Sequence, residues 1–414
     1  MILRARIVLP ISNPPIENGA VDIQEGKIRA VGQWDRRFAG SDSVTDLGEV
    51  VLFPGFVNAH CHLDYTSMAG KLPSPRSFPD WIKSILSLKA HYSYTDYAAS
   101  WMLGTRQLLQ SGTTTVADVE AVPELLAEVL SATPLKVYSF LEMTGVKSGR
   151  SGAEILRETV KVIDSLPPKF AARAGLSPHA PYSTNPDLLK ATAEFARSHG
   201  AIVSTHVAES KAEWDMFTER RGPLFDWLKN QRDMEDCGGI SPVAHLERQG
   251  LFKNRFLAVH ANYLDPRDCD SLSGQSVSVI HCPRSHAYFN HAPFPYKELR
   301  ALGANICLGT DSLASVLPGT QTIELSIFEE MRAFAKDHPE VEPAEIISMA
   351  TAHGAKALGQ EADCGKIAEG ASADMAAIPF NGGIEVAYSA VLNHAAAVSF
   401  SMIDGLCVYP QSSD

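Results

Sequence analysis

The chain has 414 residues, 45% of them hydrophobic and 20% charged, with a formal net charge of -12. That length buries a large core, either as one α/β domain or as a main domain with a small companion. The acidic balance, unbroken by any basic block, sets aside a phosphate backbone as partner, and no apolar run is long enough to cross a bilayer.

The opening residues, Met1-Ile2-Leu3-Arg4-Ala5-Arg6-Ile7, alternate charge into their apolar run and show no signal-peptide core. We therefore read a cytoplasmic protein whose partner is a small molecule, with no nucleic acid and no membrane; a homo-oligomer is left open. Its seven cysteines are odd in number and scattered without a Cys-x-x-Cys pair, against both a disulfide framework and a thiolate zinc knuckle.

Near the N-terminus, "GAVDIQEGKIRAVG" reads as a hairpin around Glu25-Gly26. The next apolar run ends in "FPGFVNAHCHLD", from Phe53 to Asp64. On a strand successive side chains alternate, so His60 and His62 share a face while Cys61 turns away to pack against a helical layer. Further strands are predicted at 113–119, 135–142, 170–178, 201–207, 255–262, 276–282 and 305–310, eight in all when 56–62 is counted. Helical patterns separate them, and Gly112, Gly200 and Gly303 suit positions just past helix ends. Repeated helix-then-strand order implies a parallel sheet, and eight units imply a closed (β/α)8 TIM-type barrel. No Gly-x-Gly-x-x-Gly turn supports the open doubly wound alternative. "GKIAEGASADMAAIPF" reads as strand-turn-strand, and "AAVSFSMIDGLCVY" as a hairpin around Asp404-Gly405. Both chain ends then combine into a small β-sandwich, residues 1–53 and 362–414, beside a barrel of residues 54–361.

A barrel of this kind gathers its chemistry at the C-terminal ends of its strands. His60, His62, His179, His206, Glu209, His260, His281 and Asp311 all fall there. One such histidine alone is more often a structural group, and His281 and His199 are left as such. Together, His60, His62, His206 and Asp311 offer three imidazoles and one carboxylate, a set suited to zinc first and ferrous iron second, with a position left for water.

The motifs "PGFVNAHCH", "HVAES", "VHAN", "HCP", "GTDS" and "GKIAEGASADM", in this order, resemble the amidohydrolase superfamily, in its deaminase and chlorohydrolase branch. That branch includes cytosine, guanine, adenosine-type and aminodeoxyfutalosine deaminases. The resemblance implies that His60, His62, His206 and Asp311 hold the metal, that Glu209 is the acid/base and that His260 orients the attacking water. Asp311 would accept the water's proton. Strand four ends "AGLSPHAPYS", with Lys169 at its other end, so no carboxylated lysine bridges a second ion and one divalent metal is expected. For the substrate, His179 and Tyr182 stand at the mouth after strand four, where His179 matches the histidine with which similar nucleoside-type deaminases contact substrate. Arg284 and His286 replace its usual pattern with a basic loop suited to an anionic group. Trp81 and Asp64 lie in a long loop resembling that of aminodeoxyfutalosine deaminases. The expected function is hydrolytic deamination of an amino-substituted heterocycle, an adenine nucleoside type first and aminodeoxyfutalosine among them. The alternatives are hydrolysis of a cyclic amide or a chloro- or amino-triazine, and a non-catalytic metal-binding barrel.

Overall fold

The computed structural model describes residues 1–410 except 36–37, 39–42, 74–75, 147–148 and 318–322. Eight parallel strands follow one another in order: β6 (Phe56–Cys61), β7 (Thr113–Glu120), β8 (Lys136–Met143), β9 (Ala174–Pro178), β10 (Val203–Val207), β11 (Phe256–His260), β12 (Val277–His281) and β13 (Asn305–Leu308). Each pairs with its sequence neighbour, as the helical crossovers demand. β7 and β8 are rich in Thr and Val, which suit a ladder covered on both faces, and almost every residue in them is buried.

The seam between β13 and β6 is closed just beyond β13. Cys61 bridges Asp311 in parallel, and the Asp311 N–H donates to the His60 carbonyl at 3.1 Å. Asn58, fully buried, donates from Nδ2 to Thr310 Oγ1 at 2.8 Å and accepts the Thr310 N–H at 3.1 Å.

The helices carry the signals that start and stop them. α1 (Phe78–Lys89) is capped by Ser77, α2 (Tyr94–Gln110) opens with a Ser93/Asp96 capping box, and α3 (Pro186–His199) is capped by Asn185. Gly112, Gly200 and Gly303 adopt φ of 78°, 68° and 81°, as expected past helix ends. Cys61 joins Leu63, Trp101 and Leu108 in the core beneath α2, the packing position expected of it.

The chain ends form one connected mixed sheet of eight strands: β1 (Ile2–Val8), β2 (Ile16–Gln24), β3 (Lys27–Gln33), β4 (Val44–Asp46), β5 (Val50–Pro54), β14 (Met375–Pro379), β15 (Phe400–Ile403) and β16 (Leu406–Tyr409). The hairpins at Glu25-Gly26 and Asp404-Gly405 are present. In "GKIAEGASADMAAIPF" only the second half becomes a strand. The segment after β14 adds a helix, Ala387–Asn393, whose Ala387, Val391 and Leu392 pack with Phe328 and Ile346 of the barrel's helical layer.

Lys136, at the start of β8, ties barrel to sheet. Its Nζ lies 2.7 Å from Asp374 Oδ2 and 2.5 Å from Asp404 Oδ1, while Asp374 also accepts the Asp404 N–H at 2.9 Å. Replacing Lys136 with Met strands the buried Asp374 carboxylate, and we expect unfolding free energy to fall by about 3 kcal/mol, with partial recovery in Lys136→Met/Asp374→Leu. Denaturant midpoints of the three proteins check this; a single-variant loss below about 1 kcal/mol contradicts it.

Candidate active site

The ends of β6, β10 and β11 and the turn after β13 converge on one point. His62 Nε2 lies 3.3 Å from His206 Nε2, 3.7 Å from Asp311 Oδ1, and His60 Nε2 is 3.6 Å from the same oxygen. Donor pairs around a tetrahedral zinc lie about 3.4 Å apart, given bonds of about 2.0–2.1 Å. The donor atoms of His60, His62 and His206, and those of His60, His260 and Asp311, fall within 4.8 Å of one another, all on buried residues.

The hydrogen bonding of these rings points the same way. His206 Nδ1 donates to the His179 carbonyl at 2.9 Å, which leaves the lone pair of its Nε2 facing His62. Both ring nitrogens of His60, Nδ1 of His62 and Nε2 of His260 are buried without a hydrogen-bond partner. Unpaired buried imidazole nitrogens converging on a carboxylate are costly unless a cation completes them, so the donor set fits a divalent metal.

The backbone is held in uncommon conformations at these strand ends. Ala208, His260, Ala261 and Asp311 have φ of 50°, 74°, 50° and 52°, the left-handed region that non-glycine residues seldom enter. Gly309 is required for closure: a Cβ there would lie 2.9 Å from both Cβ and O of His60.

Two carboxyls at the centre are driven in opposite directions. Burial raises the Asp311 carboxyl, but the close approach of the His60 ring, with His260 and His62 beside it, outweighs burial and holds the group well below the usual carboxylate range. Burial, then Asp311 and Glu213, push Glu209 well above it. Glu209 Oε1 lies 3.6 Å from His260 Nε2. Its N–H donates to Glu213 Oε2 at 2.9 Å, and its carbonyl accepts from Asn262 Nδ2 at 3.0 Å. Burial brings the histidines down: His62 and His206 well below the ordinary imidazole value, His179 to about 4 and His260 to about 3.

His62, His206, Glu209, His260 and Asp311 floor a cavity of about 290 Å³, and His179, Tyr182 and Trp81, read from the sequence as substrate contacts, also line it. Ile82 and Ile85 of α1 and Trp227 of α4 (Pro223–Leu228) form its apolar wall. His179 Nδ1 is paired with Ser183 Oγ at 2.7 Å.

Three expected substrate contacts lie elsewhere, which corrects the sequence reading. Asp64 is fully buried, with neither carboxylate oxygen partnered, and does not line the cavity; burial and Asp118 raise its carboxyl well above the usual range. Arg284 is neutralised by Glu330, with Nε 2.5 Å from Oε1, and its Nη1 donates to the Glu324 carbonyl at 3.0 Å. His286 is bound through Nε2 to the Ala292 carbonyl at 2.8 Å and packs between His281 and His291. The loop after β12 is therefore a packed structural unit. His281 stacks on Phe294 with centroids 3.9 Å apart, consistent with a structural histidine.

Sequence reasoning missed Glu142, Lys89, Tyr65, Trp227 and Ser312 among the cavity residues, and Glu213 and Asn262 as supports of Glu209. Glu142 had a signal, since it ends the third predicted strand on the polarity that placed the histidines. Glu213 follows Glu209 by one helical turn.

Comparison with known proteins sets this geometry in context. A 5-methylthioadenosine/S-adenosylhomocysteine deaminase of Syntrophobacter fumaroxidans is 31% identical over 375 residues, covering 87% of this chain and 80% of that protein. Among solved structures, an adenosine deaminase of Xanthomonas campestris with bound zinc has a TM-score of 0.82 at 23% identity, covering 98% of this chain and 92% of that one. The Helicobacter pylori aminofutalosine deaminase in complex with methylthio-coformycin has a TM-score of 0.84 at 23% identity, covering 98% and 99%. The profile of the Amidohydrolase family matches residues 51–407, from the strand that leads into the barrel to the closing hairpin of the same sheet. With the match spanning the barrel and every residue of the converging His and Asp cluster, the chain belongs to the amidohydrolase family.

Proposed function

We propose that the chain is a metal-dependent hydrolytic deaminase of adenine nucleoside-type substrates. The observation that carries this is Glu209, buried, 3.6 Å from His260 and facing the same cavity as the converging donor cluster. A structural metal site needs neither group. The activities for which the relatives are named, on 5-methylthioadenosine, S-adenosylhomocysteine, adenosine and aminofutalosine, support the nucleoside class. Aminodeoxyfutalosine remains within that class as a candidate substrate.

His60, His62, His206 and Asp311 would hold one divalent ion, zinc by the three-nitrogen, one-oxygen donor set, with ferrous iron as the other metal such a set takes. Bound there, the ion lowers the pKa of water toward neutrality and polarises the centre under attack. Asp311 accepts the proton of the attacking water, and His260 holds that water in line. Burial favours protonated Glu209, the form that can donate to the ring nitrogen beside the amino-bearing carbon. The proton that Asp311 took from the water would pass to the amino group, the hydroxyl on the tetrahedral carbon would return a proton to Glu209, and the C–N bond would break to leave a carbonyl and ammonia. His179, Tyr182 and Trp81 contact the base and its substituents.

Ammonia release from adenine nucleosides tests the proposal and separates it from cyclic amide hydrolysis or chloride displacement on the same scaffold. A Glu209→Gln variant keeps its metal and loses at least about a hundredfold in turnover; unchanged turnover removes Glu209 from the mechanism. Gly309→Ala crowds His60, lowers the unfolding midpoint and weakens metal binding by roughly tenfold or more. Metal titration with a competing chelator, alongside circular dichroism, reads this, and unaltered affinity contradicts the closure argument.

A further inference from the structure

We propose that Glu142 reads the sugar hydroxyls of the substrate, so that the site selects ribonucleosides over deoxy counterparts; this rests on the adenine nucleoside reading above. Glu142 stands at the C-terminal end of β8 and lines the cavity, its side chain 15% exposed there. Thr144, two residues on, lines it too. Among the described residues no donor lies within hydrogen-bond distance of the Glu142 carboxylate. Its nearest ionisable neighbour is His179, whose Nε2 is 3.9 Å from Oε2, beyond hydrogen-bond reach. His179 in turn lies beside His206, with ring centroids 4.8 Å apart. Glu142 thus sits one side chain outward from the donor cluster, where a substituent of the base rather than its reacting carbon would lie.

A free carboxylate has two oxygens able to accept side by side, and a vicinal diol offers two O–H donors. The cavity wall of Trp81, Ile85 and Trp227 limits water's ability to replace a missing hydroxyl. A site built around a polar partner rejects the analogue that lacks it, because its own group is left unpaired. Lys89 is the only lysine or arginine among the described residues lining the cavity, and its Nζ is bonded to the Tyr65 hydroxyl. No ion pair within 4 Å joins it to Glu142 among the described residues, so the carboxylate is not already matched. Neutral hydroxyls suit it; an anionic group beside it does not.

The test compares kcat/KM for adenosine, 2′-deoxyadenosine and 3′-deoxyadenosine in the metal-loaded wild type, Glu142→Gln and Glu142→Ala, together with calorimetric binding of coformycin and 2′-deoxycoformycin. We expect the wild type to favour the ribose forms by about 10- to 100-fold, Glu142→Gln to retain part of that ratio, and Glu142→Ala to bring it close to one. A wild type without preference, or a ratio unchanged in Glu142→Ala, overturns the proposal. So does an equal loss for all nucleosides, the signature of a merely structural role. If no nucleoside yields ammonia, the deaminase reading fails, while the coformycin ratio still decides the sugar contact. Absence of both overturns both.

Discussion

The closure of the barrel is the constraint on which the site depends. Asn58 joins Thr310 by two buried hydrogen bonds, and the next residues, His60 and Asp311, are joined through the backbone. These contacts bring the first and last strands of the barrel, some 250 residues apart in sequence, within ligand-sharing distance. The packing is close enough that only glycine fits at position 309, and Asp311 reaches its place with a left-handed backbone. Stability of the seam and geometry of the donor cluster are therefore one property: a change that loosens the seam also moves a ligand.

The electrostatics follow from burial at that seam. His62, His206, His179 and His260 stand where protonation is penalised and are neutral imidazoles, the form in which His62 and His206 can ligate. Asp311, beside the imidazole rings, favours its anion, while Glu209, buried and facing the carboxylates of Asp311 and Glu213, favours its acid. In the proposed reaction, environments that push two carboxyls apart would divide the labour between proton acceptor and proton donor. Glu213 and Asn262 anchor the backbone of Glu209, so its reach toward His260 is set by helix and strand geometry rather than by a free loop.

Much of this was legible in the sequence because it is written locally. Strand ends reveal themselves through β-branched runs and helix-stopping glycines, and the histidines and Asp311 fall at those ends. What stayed hidden depends on distant partners. Arg284 reads as a free cation until Glu330, 46 residues later, is folded onto it. Asp64 reads as a loop residue until the turn after β6 buries it beside Asp118. Glu142 was counted as the last residue of a strand and overlooked as a cavity group, since a lone glutamate carries no spacing signal. The helix at 387–393 was missed because its apolar residues are satisfied by the barrel's helices, not by the sheet around it.

The central claim is that His60, His62, His206 and Asp311 form one metal centre at the barrel seam. The most direct measurement is a crystal structure of the zinc-loaded protein with anomalous data collected at the zinc edge. The account predicts a single strong peak in contact with those four side chains, with Glu209 and His260 facing its open position. Two peaks bridged by a carboxylate, or a peak at any other cluster, would contradict it.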